Sequence, residues 1–124
     1  MFGWTRTDLI ARLEVLAPRF GQIGLLAVRR TDEARLAIKL GLGGSADLYL
    51  EIADKAFEQA TLCRESITAL AIRNAWPFTF KRGVSRAEKF AEICESVLDD
   101  ADAGAAAGKA AFKEKYGDVS NAEN

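Results

Sequence analysis

The chain has 124 residues, 49% hydrophobic and 28% charged, with a formal net charge of −1. This is enough for a single domain with one core, and no apolar run is long enough to span a bilayer. There is no histidine, so the commonest general base, metal ligand and pH switch are excluded. The two cysteines, Cys63 and Cys94, are too few to close a zinc site.

The start, Met1-Phe2-Gly3-Trp4-Thr5-Arg6, lacks the basic, apolar and small-residue zones of a secretory signal. A cytoplasmic product, or one packaged from the cytoplasm, is the expectation. Charge is unevenly distributed. Residues 1–44 hold seven Lys/Arg against four Asp/Glu, residues 45–82 five against five, and residues 83–124 five against nine. A basic front and an acidic back suit head-to-tail packing of subunits; solvated, unrelated charges are the plainer reading.

Thr7-Asp8 predicts the start of a first helix, with Leu9, Ile10, Leu13 and Leu16 on one face. Pro18 predicts its end near Ala17. Residues 19–30 have helical spacing at Phe20, Ile23, Leu26 and Ala27, but Gly21 and Gly24 each weaken a helix by about 1 kcal/mol. Helix is the reading, with a short strand through 24–28 as the alternative. Thr31-Asp32-Glu33 predicts a fresh start, a hydroxyl cap followed by acids at the positive end of the dipole. That helix runs through Leu36, Ile38 and Leu40 and ends on Gly41, Gly43 and Gly44.

Ser45, followed by Asp47, predicts the cap of the longest helix, Ser45–Arg73. Tyr49, Ile52, Ala53, Ala56, Phe57, Ala60, Cys63, Ile67, Leu70 and Ala71 form its apolar stripe, and such a helix is the expected spine of a bundle. Pro77 ends that segment. Ser85-Arg86-Ala87-Glu88 has the form of a capping box, predicting a helix to about Asp100 with Phe90, Ala91, Cys94, Val97 and Leu98 facing inward. Asp99-Asp100-Ala101-Asp102 is unfavourable at the negative end of a helix and predicts a break or weak joint. The alanine-rich 103–116, with Phe112 and Tyr116, predicts a marginal helix capped by Gly117. The domain is expected over residues 1–117, with a disordered tail at 118–124. Cys63 and Cys94, both on apolar faces, are expected to be buried, inert thiols.

The glycine-containing stretches give little chemistry. Gly41-Leu42-Gly43-Gly44-Ser45-Ala46 fits a phosphate-turn pattern, but no strand precedes it and no βαβ unit follows. Gly104 to Ala110 lacks the hydroxyl that a P-loop uses for magnesium. Glu88, Glu92, Glu95 and Asp99 share a helix face, more consistent with a solvated or partner-facing acidic surface than with paired catalysis. Arg29, Arg30, Arg35 and Lys39, and Lys81, Arg82, Arg86 and Lys89, form basic clusters that could meet phosphates, with Trp76, Phe78 and Phe80 available to stack. No catalytic residue, cofactor or metal site is expected.

The sharpest feature is Trp76-Pro77-Phe78-Thr79-Phe80-Lys81-Arg82. Aromatic and arginine side chains are the usual energetic anchors of interfaces, although the same rings could simply close the end of a bundle. Together with Cys63-Arg64-Glu65-Ser66-Ile67-Thr68-Ala69-Leu70, this segment resembles tailed-phage head–tail connector (adaptor) proteins. The similarity covers a small part of the chain. Trp-Pro stands where that family has Pro-Trp, and the long β-rich region that often follows there is missing. The resemblance implies a helical subunit in a ring beneath a portal, with arms ordered by neighbours.

The sequence thus predicts an all-α bundle of about four to five helices with one long central helix. The expected role is a non-enzymatic assembly or protein-binding module, a homo-oligomer or ring component. Its expected interface is Trp76, Phe78, Phe80, Lys81 and Arg82, with Phe112 and Tyr116 as a second patch. The alternative is a small regulator that binds nucleic acid or blocks a nucleic-acid-binding partner.

Overall fold

A computed structural model describes residues 4–42 and 46–116, with side chains described up to Asp99. It is all-helical, with no strand among the described residues. Three α-helices, α1 (Arg6–Lys39), α2 (Asp47–Ala71) and α3 (Lys81–Tyr116), are joined with one short 3₁₀ turn, Pro77–Phe80.

Helix α1 is one continuous element of 34 residues where three segments are predicted. It begins two residues earlier than Thr7-Asp8 suggests. Thr5 is the cap: its hydroxyl accepts from the Asp8 backbone N–H, and the Asp8 carboxylate accepts from the Thr5 backbone in return. Pro18 lies inside the helix. A proline there removes one backbone bond and costs about 3 kcal/mol. It is exposed, so the carbonyl it leaves unbonded can be hydrated. Leu16, Phe20 and Ile23 around it are fully or nearly fully buried, and each such side chain contributes about 1.5–3 kcal/mol. Burial on both sides therefore outweighs the local penalty.

The predicted cap at Thr31 is also corrected. Thr31 is buried mid-helix, and its hydroxyl donates to the Ala27 carbonyl at 2.9 Å. This satisfies the polar atom within its own helix. Residues 19–30 are accordingly helix, and the strand alternative falls. The helix ends where glycine predicts it. Gly41 has φ +75, its N–H reaches the Ile38 carbonyl and that of Leu42 the Ala37 carbonyl, the paired bonds of a glycine-terminated helix.

Helix α2 has 25 residues and caps on Ala46 without a side-chain bond; Ser45 and the neighbouring Gly43 and Gly44 lie outside the described residues. It runs antiparallel to α1, since Gly24 faces Phe57 and Arg6 reaches Ala75. Helix α3 then runs parallel to α1: Arg12 meets Glu88 and Arg19 meets Glu95, both pairs 76 residues apart. Its start is Lys81, so Ser85 is an interior residue and no capping box forms there. Glu88 instead pairs with Arg12. The backbone stays helical through the acidic run at 99–102 to Tyr116, so the predicted break is absent.

Helix α1, not the shorter α2, is the central element. It packs along both other helices, which touch one another only sparsely. The three contribute to one cluster of buried side chains, including Leu9, Leu13 and Phe20 from α1, Ala56 and Leu70 from α2, and Ala91 and Leu98 from α3. The predicted stripes identify most of this core, but Phe57 and Ala71 are exposed, as are Leu36, Ile38 and Leu40 near the end of α1, and Val84, buried, is missed.

Candidate docking surface

The up-down-up path brings the first turn of α1, the end of α2 and the start of α3 to one tip of the bundle. Asn74 there takes a left-handed conformation, φ 54, which asparagine tolerates better than most residues. The Ala75 N–H reaches back to the Ala69 carbonyl at 2.9 Å. The Ala75 carbonyl accepts from Arg6 Nη2 at 2.8 Å, across 69 residues of sequence. Trp76 precedes the 3₁₀ turn, with Pro77 at its first position, where a missing donor costs nothing. The Thr79 hydroxyl donates to the Trp76 carbonyl at 2.8 Å.

On this pinned turn the aromatics divide. Trp76 and Phe78 are 71% and 73% exposed, and Ile72 beside them is 78% exposed. Phe80 turns inward and packs against the core. Arg82 is exposed. Lys81 reaches back, its Nζ 5.6 Å from the centre of the Trp4 ring, while Arg12 Cζ lies 4.2 Å from the same ring. Trp4 was not among the residues singled out from sequence. Nothing local marks it, because its contact with Lys81 depends on how the helices associate. Phe112 and Tyr116 lie on the helical backbone of α3, but their side chains are outside the described residues.

The row of four carboxylates on α3 is split by α1. Glu88 accepts from Arg12 at 2.9 Å. Glu95 accepts from Arg19 through both oxygens, Nε to Oε2 at 3.1 Å and Nη2 to Oε1. That hydrogen bond holds Glu95 below the ordinary carboxylate range. Glu92 and Asp99 are exposed and make no ion pair with the described residues. Beside Asp99 an open groove of about 520 Å³ runs between α1 and α3, lined by Leu25, Leu26 and Leu98 together with Arg29, Glu95 and Asp99.

Cys63 and Cys94 are buried and free, and burial pushes both thiols above their ordinary value. At neutral pH they are protonated and poorly nucleophilic. No group of three or more His, Cys, Asp or Glu suited to a metal ion occurs among the described residues. No described helix is long and apolar enough to cross a membrane. Comparison with protein-family models, with curated proteins and with solved structures finds no match for this chain.

Proposed function

We propose that this protein is a non-enzymatic assembly module that docks on another polypeptide through the tip of its bundle. One observation carries the reading: Trp76 and Phe78 stand largely in solvent on a turn whose backbone is held by Arg6 and Thr79, and Ile72 at the end of α2 is exposed as well. Large apolar side chains clustered in solvent mark interaction surfaces. A turn held in place before contact loses little entropy on docking. The most concrete version is a self-associating subunit of a virion connector, as the resemblance around Trp76 implies.

Nucleic acid is the weaker reading. Arg82 and Arg73 are exposed beside the aromatics. Arg12, however, is engaged with both Trp4 and Glu88.

The test is particle mass by light scattering over a concentration series, for the wild type and for Trp76→Ala combined with Phe78→Ala. Interface anchors of this kind contribute about 2 kcal/mol or more each, and such values do not simply add, so the double variant is expected to weaken association by at least the worth of one anchor, about thirtyfold, with helical content unchanged. Identical mass curves for the two proteins overturn the proposal.

A further inference from the structure

The fold gathers charges that the sequence scatters. Arg6, bonded to the Ala75 carbonyl, Arg73 just after α2, and Lys81, Arg82 and Arg86 in the first turns of α3 come to the same end of the bundle as the exposed Trp76 and Phe78. The nearby carboxylates are already engaged: Asp8 in the helix cap and Glu88 with Arg12. The tip therefore carries exposed rings together with basic residues. Further along α3, Asp99 lines the groove that contains the exposed Leu25, and Glu92 stands on the same helix one turn before the groove-lining Glu95; both are exposed and make no ion pair with the described residues. These two surfaces are complementary in part: aromatic rings with basic residues at the tip, and a groove of mixed apolar and polar lining in which Asp99 is the exposed acid without an ion pair among the described residues. Arg29, which also lines the groove, offers a guanidinium face to an incoming indole.

They cannot meet within one molecule. Lys81 and Asp99 stand on the same rigid helix, and at helical rise their separation is about 27 Å. We infer that the tip of one copy, Trp76 and Phe78 flanked by Lys81 and Arg82, seats in the α1–α3 groove of a second copy at Leu25, Leu26 and Asp99. This rests on the tip being a docking surface and names its occupant. The contact joins two different patches, so it is heterologous: each copy offers one tip and one groove, and association continues beyond two unless a ring closes.

Two charge-reversed proteins test it, both checked for helical content by far-UV circular dichroism. One carries Lys81→Glu with Arg82→Glu, the other Glu92→Lys with Asp99→Lys. Each alone meets like charge at every contact, and at moderate salt each is expected to associate at least tenfold more weakly than wild type. Mixed one to one, the acidic tip of the first faces the basic groove of the second, and the basic tip of the second faces the acidic groove of the first. The mixture is therefore expected to regain wild-type mass in alternating order. Charge variants that assemble like wild type, or a mixture that stays dissociated, overturn the head-to-tail contact. If Trp76→Ala with Phe78→Ala still dissolves the wild-type assembly, the docking role of the tip survives that failure. Growth that stops at a dimer overturns the inference too, as does a wild type that stays monomeric and retains duplex DNA through Lys81 and Arg82.

Discussion

The seams on either side of α1 are built on different physics. Toward α2, close approach is set by the absence of a side chain: a Cβ added at Gly24 would lie 2.6 Å from the Phe57 ring. Toward α3, contact is made by long and large groups, the Arg12–Glu88 and Arg19–Glu95 pairs and the Phe20–Phe90 rings at 6.2 Å between centres. The first seam is sensitive to volume. The second combines an apolar layer with partly exposed ion pairs, whose contribution is screened.

The largest effect expected is on the apolar layer of the second seam. Phe20 is fully buried, so Phe20→Ala should cost about 3–5 kcal/mol, measured by urea denaturation. A loss below about 1 kcal/mol would mean that the layer is not packed as described. Gly24→Ala comes next. Its helix-propensity gain of about 1 kcal/mol is opposed by overpacking against Phe57, typically about 1–3 kcal/mol, and net destabilisation is expected. Gly21, three residues earlier, has nothing within 4 Å of an added Cβ. Gly21→Ala should therefore stabilise by up to about 1 kcal/mol. Opposite signs at two glycines of one helix would sharpen the contrast between the seams, and equal signs would break it.

The charged part of the second seam should matter least. Both Arg19 and Glu95 are substantially solvated, and Glu95→Gln should cost no more than about 1 kcal/mol. Its pH dependence is more informative. The folded protein holds Glu95 below its ordinary range, so the unfolded chain takes up the proton first as pH falls. The pair's contribution is thus complete above the ordinary carboxylate range, about 4.3. It is lost as pH drops through that range toward the depressed folded value. Denaturation of wild type and Glu95→Gln across this interval should show their difference closing; a constant gap would disconnect the pair from stability.

How much of this could be read from sequence follows the same division. The helical class and most buried positions were legible, because apolar spacing is a local signal averaged over many residues. Helix ends were legible where backbone geometry demanded a particular residue, as at Gly41. They were misread at Pro18, Thr31 and Ser85, where a local stop or start signal competes with burial supplied by another helix. The merging of three predicted segments into α1 also moves the centre of the bundle from α2 to α1. At the tip, the sequence leaves open whether the rings close the bundle or face outward; Trp76 and Phe78 stand in solvent while Phe80 turns inward. The Trp4 cluster and the division of the α3 acids were hidden, because Arg12, Arg19 and Lys81 find those partners only after the helices associate.

The bond from Arg6 to the Ala75 carbonyl makes the aromatic turn a tenant of the first turn of α1. Fraying that turn withdraws the guanidinium from the Ala75 carbonyl, so the placement of Trp76 and Phe78 depends on the strength of the Thr5–Asp8 cap. Removal of the Thr5 hydroxyl, far along the sequence from either ring, would loosen the turn that carries them.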